Sequence, residues 1–328
     1  MPMSGKITRL VILLAISASA LLTTCTPTQI SPQGGKMPSK PIAEERPPGV
    51  PSAAWAYPIG LAPQKFSHKS EHVSYPMIDD GPFQGLPLGG FGAGSIGRTY
   101  RGDFARWHLD VGRHRYEPIP ACQFSAFMDD GEHKIAQVLW TEAPRGVLSA
   151  WRWRYPVGAG TYYALFPRAW FDYRWEEFPV HLTMRHFSPV IPHNYRETSY
   201  PVGVFVWRAE NPVSRPVKVG VMFTWQNLIG RGWDRDFIGG HYNYARSEEL
   251  DTGRMVGVVL TRGGEPVTEE WDGSFAIAAL EVPGVEVSFR TRFRANGDGA
   301  EVWDDFAADG ALENVDDRMP SRMGEVIA

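Results

Sequence analysis

The sequence predicts an all-β protein built as a large antiparallel β-sandwich, and three observations lead to that prediction. Val180, Leu182 and Met184 alternate with polar residues, which is the two-residue period of a strand with one buried face. The chain contains 34 glycines and 27 prolines, far above average usage, and this composition favours many turns. Helical periodicity is nearly absent, apart from a short segment at 301–308. Strands joined by turns, with almost no helix, indicate sheets packed on one another.

From Ser149 onward the chain reads as one strand after another. Residues 217–225 and 285–289 repeat the alternation of apolar and polar side chains. Asn211-Pro212 and Pro283-Gly284 supply turns between such segments.

Composition excludes several classes of protein. With 43% hydrophobic and 21% charged residues the chain is globular rather than disordered. A net charge of −4 and the lack of a basic block in the mature part give no reason to expect a nucleic-acid partner. Two cysteines are too few for a disulfide framework, and Cys122, in an apolar segment, is predicted to be a buried free thiol.

Residues 1–25 are predicted to be an export signal. Lys6 and Arg9 form a positive region, and the apolar run 10–22 is too short to span a membrane but has the length of a signal core. We therefore expect the protein to reach the periplasm or the cell exterior.

Two endings of this signal remain open. Ala18-Ser19-Ala20 fits a small-residue cleavage site, whereas Leu22-Thr23-Thr24-Cys25 resembles a bacterial lipoprotein box with Cys25 as the lipidated residue. Residues 26–54 are rich in Pro, Ser and Gly and are predicted to be a linker, and residues 55–328 are predicted to form the sandwich domain.

The stretch 85–128 is the most distinctive part of the chain, because its first thirteen residues contain six glycines. The segment 92–97 matches the dinucleotide pattern G-x-G-x-x-G. No apolar strand precedes this segment and no helical pattern follows it, so we predict a glycine-rich β-turn structure instead.

Two groups of side chains are candidates for contact with a carbohydrate or with another domain. The first group follows the glycines, whose thin backbone leaves room for large neighbours. The second lies in the connection 226–253, which has no evident strand pattern and is too aromatic for disorder, so it is predicted to be an ordered loop. The candidates are Arg101, Arg106, Trp107, His108, Trp233, Asp234, His241 and Tyr242.

Trp151, Trp153 and Tyr155 are predicted to share one face of a strand. Such a row can stack on sugar rings, but aromatic strand faces usually pack in a core, and we favour the core.

No catalytic or metal-binding group is predicted in this chain. The acidic residues include the pairs Asp79-Asp80 and Asp129-Asp130, both followed by glycine, which is typical of solvated turns. The histidines lack chelating spacing, and no cofactor motif is present.

Three blocks of sequence resemble the N-terminal domain of glycoside hydrolase family 116, the β-glucosidases and non-lysosomal, bile-acid-type glucosylceramidases. The blocks are PLGGFGAGSIGR at 87–98 with RGDF at 101–104, FTWQN at 223–227, and GDG with VWDDF at 297–306. The resemblance runs from about Trp55 to Val315.

The resemblance implies an N-terminal β-sandwich followed by a large (α/α)6 barrel, in which a glutamate nucleophile and an aspartate acid/base hydrolyse β-glucosides with retention. The chain stops before such a barrel, so no catalytic residue can be carried over. We expect the sandwich to support a barrel, supplied in cis or from a separate segment, and to wall the sugar cleft. The alternative is a stand-alone or vestigial domain that binds carbohydrate without cleaving it.

Overall fold

A computed structural model describes residues 7–18, 46–62, 84–110, 113–229, 239–263 and 273–328, with the backbone alone for 7–18, 110 and 113. The strands are β1 (Ile7–Ala18), β2 (Trp55–Pro58), β3 (Leu86–Leu88), β4 (Ser95–Arg98), β5 (Phe104–Asp110), β6 (Arg113–Arg115), β7 (Gln123–Asp129), β8 (Lys134–Val138), β9 (Gly160–Leu165), β10 (Arg168–Trp175), β11 (Phe178–Phe187), β12 (Val202–Glu210), β13 (Lys218–Thr224), β14 (His241–Leu250), β15 (Gly253–Arg262) and β16 (Gly273–Glu281). The helices are α1 (Tyr195–Thr198) and α2 (Ala300–Asp309).

The strands form three antiparallel sheets, which confirms the all-β prediction. A nine-stranded sheet has the order β14-β15-β16-β1-β12-β11-β10-β9-β2. Opposite it lie a three-stranded sheet, β13-β7-β8, and a four-stranded sheet, β3-β4-β5-β6. We call the last one the glycine sheet, because the glycine-rich stretch forms its first two strands.

The main core lies between the nine-stranded sheet and the two smaller sheets. In β11 the side chains alternate between buried and half-buried along the whole strand, as the period-two pattern predicts. Aromatic side chains fill the centre, where Phe124 stacks on Phe223 with ring centroids 4.2 Å apart.

A second core covers the other face of the three-stranded sheet. Helix α2, which the sequence predicts at 301–308, packs Val302, Trp303 and Phe306 against Phe127 and Met222. One face of β13 packs on the main core and the other on this second core. The alternation of β13 predicts one face in water, and the structure does not show such a face.

The row of Trp151, Trp153 and Tyr155 also belongs to the cores. Trp151 is 3% exposed and stacks on both Trp153 and Trp303. The prediction of packing is confirmed, but this segment is irregular rather than a strand.

Two sequence predictions differ from the structure. Residues 285–289 alternate, yet they form no strand, and an isolated bridge joins the next residue, Arg290, to Val315. The predicted loop 226–253 contains β14, whose buried positions hold polar residues such as Asn243 instead of aliphatic ones, and this hides the strand pattern.

The described part of the linker begins at Arg46 and is packed on the sheet. Val50 and Ala54 are buried against Tyr163 and Trp170 on the outer face of β9 and β10, and the Arg46 guanidinium lies 5.1 Å from the Tyr163 ring centroid. Among the residues that the model describes, no helix has the length and apolar character needed to cross a membrane.

Candidate functional site

The outward face of the glycine sheet is set by the pairing of β4 with β5. Ile96 and Trp107 are cross-strand partners, and both are fully buried in the core. Their neighbours therefore face outward, with Ser95 opposite His108 and Gly97 opposite Arg106. This arrangement gives the face a thin floor on β4 and large polar side chains on β5.

The glycine-rich turn between β3 and β4 approaches another segment closely. Gly90 lies against the backbone after α1, where a Cβ atom would come within 2.2 Å of the Ser199 carbonyl oxygen. The Phe91 amide donates a hydrogen bond to the Thr198 carbonyl at 3.0 Å. The turn joins the paired strands β3 and β4, and β4 continues into β5 rather than into a helix, so the prediction of a glycine-rich β-turn structure is confirmed.

His108 stands at the centre of a polar cluster on this face. Its ring centroid lies 4.1 Å from that of His114, and its Nε2 atom is 3.3 Å from the Tyr116 hydroxyl. Arg106 donates weakly from Nε to the same nitrogen at 3.5 Å. These groups offer hydrogen-bond donors and acceptors to a polar ligand.

An open cleft of about 260 Å³ adjoins this cluster at Ser95. Its walls come from the β3–β4 turn, from the β9–β10 turn at Phe166-Pro167, and from Ser188 and Val190 after β11. The Ser188 hydroxyl anchors the turn, since it accepts from the Gly89 amide at 2.7 Å and donates to the Val202 carbonyl at 2.6 Å.

Apolar side chains are exposed around the cleft. Phe91 and Phe166 are each 57% exposed and face this opening. Other exposed apolar side chains lie beside the two turns and α1, at Leu165, Ile191, Tyr195 and Tyr200. A concentration of exposed aromatic surface at one end of a domain marks an interaction site.

The first group of sequence candidates divides between the surface and the core. Arg106 and His108 lie on the outward face described above. Arg101, in the loop between β4 and β5, pairs with Glu142 at 3.4 Å and stacks on Tyr100. Trp107 is completely buried, and its indole nitrogen donates to the Glu117 carbonyl, so it has no surface for a ligand.

The second group is placed differently from its prediction. His241 is 3% exposed at the start of β14, with its Nε2 atom 2.5 Å from the Ile229 carbonyl oxygen, so it is a structural residue and not a contact residue. Tyr242 is half-buried and stacks on Tyr244. Trp233, Asp234 and the lipidation candidate Cys25 lie outside the described residues.

Two of the acidic residues that the structure describes, Asp130 and Asp103, hold turns. Asp130 accepts hydrogen bonds from the amides of His133 and Glu132, and these bonds, with a smaller effect of Arg215, lower its pKa to about 2. Asp103 bonds to the Thr99 hydroxyl, and its burial raises the pKa of its carboxyl group. Within the described ranges no three His, Cys, Asp or Glu side chains are grouped so that they could hold a metal ion.

Arg98, the last residue of β4, is fully buried beneath the site. Its guanidinium lies over the ring of Phe171, 4.5 Å from the centroid, and donates to the Tyr173 hydroxyl at 3.3 Å. In the described part of the chain no carboxylate forms an ion pair with it, so aromatic faces and neutral oxygens are what compensate its charge there.

Four residues of the site were missed by sequence reasoning: Phe91, Phe166, His114 and Tyr116. The exposure of Phe91 could have been predicted from the sequence, because it is a large apolar side chain between glycines, which have no side chains to bury it. His114 and Tyr116 meet His108 only through the pairing of β5 with β6, and a register cannot be read from spacing alone.

A comparison with protein-family models agrees with this architecture. Residues 85–328 match the model described as beta-glucosidase 2, glycosyl-hydrolase family 116 N-term. The match covers most of the chain, and the chain therefore belongs to this family, as a carrier of its N-terminal domain.

Proposed function

We propose that this chain is the N-terminal, non-catalytic portion of an exported, retaining β-glucosidase or glucosylceramidase-like glycoside hydrolase. It supports an (α/α)6 catalytic barrel in cis or from a separate chain, and it walls one side of the sugar cleft. The barrel supplies both carboxylates, and the β-glucoside is the ligand.

The observation that carries the proposal is the exposed apolar end of the domain. Phe91 and Phe166 each leave more than half of their surface open, which is costly unless a partner covers it. Exposed aromatic side chains on well-anchored turns are the typical centres of binding energy in an interface. The polar cluster at His108 borders this apolar end. A barrel docked there would have these groups of the sandwich domain at its rim, where they could bind sugar hydroxyls.

Reconstitution in trans tests the support role. The full chain is mixed with a separately produced (α/α)6 domain of a family 116 β-glucosidase, and the dissociation constant is measured by calorimetry. Phe91→Lys is expected to weaken binding at least tenfold, because it buries a charge in the apolar centre of the interface. Leu250→Lys, at another exposed apolar side chain but on β14, is the control and leaves binding unchanged. Equal effects of the two substitutions would refute this interface.

The cleft-wall role has a separate readout. In the reconstituted complex His108→Ala is expected to raise KM for β-glucosides several-fold without changing the dissociation constant between the two parts. An unchanged KM would remove His108 from the sugar cleft while leaving the support role intact.

A second candidate function is non-catalytic carbohydrate binding by this chain alone. The cleft of about 260 Å³ between two exposed phenylalanines favours it, because aromatic platforms beside a few polar groups are suited to sugar rings. NMR titration of the isolated chain with cellobiose, with Phe166→Ala as the variant, tests it. Saturable shifts that the variant abolishes would support this function, and their absence would eliminate it.

Export and lipidation belong to the same proposal. They rest on the apolar run at 10–22 and on Cys25. Mass spectrometry of the N-terminal peptide from the native host decides between acylated Cys25, cleavage after Ala20, and an unprocessed chain.

A further inference from the structure

We propose that the gap between β12 and β16 is a strand-accepting slot filled by Ile7–Ala18. The apolar run predicted to be an export signal is then also the strand that joins the two parts of the large sheet. The pairing of this strand stands whether or not the proposed catalytic partner exists, and its link to processing rests on the proposed export.

The backbone pairing on both sides of β1 carries the inference. Along β12 the antiparallel register runs from Ile7 opposite Glu210 to Ala15 opposite Val202. Along β16 it runs from Ile12 opposite Ala279 to Ala18 opposite Gly273. The segment therefore has neighbours on both edges, as an interior strand does.

The topology makes this position consequential. Among the described strands, β14, β15 and β16 are hydrogen-bonded to the rest of the nine-stranded sheet only through β1. If β1 were absent, β12 and β16 would each present an edge of unpaired backbone groups, which other extended chains can join. Removal of the segment would divide the sheet at its middle.

The sequences of the flanking strands suit a slot that is closed on both sides. β12 begins VGVFVW and β16 contains FAIAAL, and both are nearly continuous apolar runs instead of alternating ones. Along β12 the side chains alternate between buried and half-buried, and β16 is half-buried over most of its length, so these runs are not open to solvent. By contrast, β14 at the edge of the sheet ends in the charged run RSEEL. The occupant that the slot requires is thus an apolar extended segment, and ITRLVILLAISA is one.

The slot links processing to structure. In a chain that folds before export, the signal segment Ile7–Ala18 is a strand of the sheet. In a chain from which the signal has been cleaved, the slot between β12 and β16 is open. The folded precursor and the mature form then differ in a central strand, and the mature form must fill the slot with another apolar strand or leave two edges exposed.

Disulfide trapping in the full chain tests this register. Leu13 is opposite Val204 on one side and opposite Ala278 on the other. With Cys25→Ser present, the pairs Leu13→Cys with Val204→Cys and Leu13→Cys with Ala278→Cys are expected to form bonds on mild oxidation, because cross-strand Cα distances suit a disulfide. Leu14→Cys with Val204→Cys is the control. It shifts the residue by one position, to the opposite face, and should yield at least tenfold less bond by peptide mass spectrometry.

The outcomes separate cleanly. Preferential bonding of the two in-register pairs supports the slot. Equal bonding of all pairs, or none in a folded chain, overturns it. If a variant with a cysteine pair does not fold, the variant Leu13→Pro is measured instead, with Leu13→Val as its control. Proline removes a ladder hydrogen bond and should lower Tm by more than about 5 °C, and an unchanged Tm overturns the proposal.

Discussion

The glycine sheet and the β14–β15 hairpin carry similar residues but use them in opposite ways. Both have a strand that carries a histidine with a tyrosine close by. In the glycine sheet His108 faces outward beside His114 and Tyr116. In the hairpin His241 faces inward and bonds to the Ile229 carbonyl, while Asn243 two residues later is also fully buried.

The difference teaches that register, and not residue type, decides which polar side chains are available to a ligand. The inward groups of the hairpin form a closed network. The Asn243 amide donates to the Thr291 carbonyl at 2.6 Å and accepts from the Asn227 side chain at 2.9 Å. A network that satisfies its own members stabilises the core and leaves nothing for a ligand.

The largest effect is expected from breaking this inward network. Asn243→Ala removes one of the two acceptors of the Asn227 side-chain amide and the side-chain donor to the buried Thr291 carbonyl, and should lower the free energy of unfolding by about 3 kcal/mol. Tyr244→Ala, one position along on the outer face, is the control and should cost clearly less. Urea unfolding of both variants measures the difference, and equal losses would contradict the inward–outward distinction.

The glycine turn provides a comparison within the glycine sheet itself. Gly90→Ala forces a Cβ atom against the Ser199 carbonyl and should cost about 2–3 kcal/mol. Gly92→Ala has open space around it and only the strain of a positive φ, +81°, so about 1 kcal/mol is expected. Chemical denaturation measures both losses of unfolding free energy. A larger loss for Gly92→Ala would show that the close approach of Gly90 to the backbone after α1 is not the reason for glycine in this turn.

His186, on β11, extends the comparison to pH. Its complete burial, with a smaller effect of Arg98, lowers its pKa to about 3, against about 6.5 when unfolded. Between those values the unfolded chain binds an extra proton, so stability is fully present above pH 6.5 and falls as the pH drops towards 3. The loss at pH 5 is about 2 kcal/mol.

Replacing this histidine should remove its part of the acid sensitivity. His186→Met is expected to flatten the decline in unfolding free energy between pH 7 and pH 5. Denaturant unfolding at each pH measures the unfolding free energy of both proteins. If the decline has the same slope in the Met variant, other groups cause the acid sensitivity.

The smallest effect is expected on the outward face. His108→Gln keeps a hydrogen-bonding side chain in a half-exposed position and should change stability by less than about 1 kcal/mol. Thermal unfolding measures this value. A loss as large as that of Asn243→Ala would mean that His108 has a structural role like that of His241.

Much of the fold could be predicted from the sequence, and less of the site. The period-two alternation of β11 and the apolar spacing of α2 are local patterns. The strand around Val180 and the helix around Trp303 can therefore be predicted from neighbouring residues alone. The strand β14 was missed because its inward positions are occupied by His241 and Asn243, whose burial depends on partners far along the chain. Trp107 was taken for a contact residue for the converse reason, since only the register with β4 shows that it faces the core.

The second core also constrains the order in which the chain can fold. Trp151 contacts Phe293 and Trp303, and its indole nitrogen donates to the Gly299 carbonyl, a closure over 148 positions of sequence. Val326 and Ala328 belong to the same cluster. The helix side of the three-stranded sheet therefore stays uncovered until these late residues join the folding chain, and apolar surface such as that of Trp151 is open to aggregation in that interval.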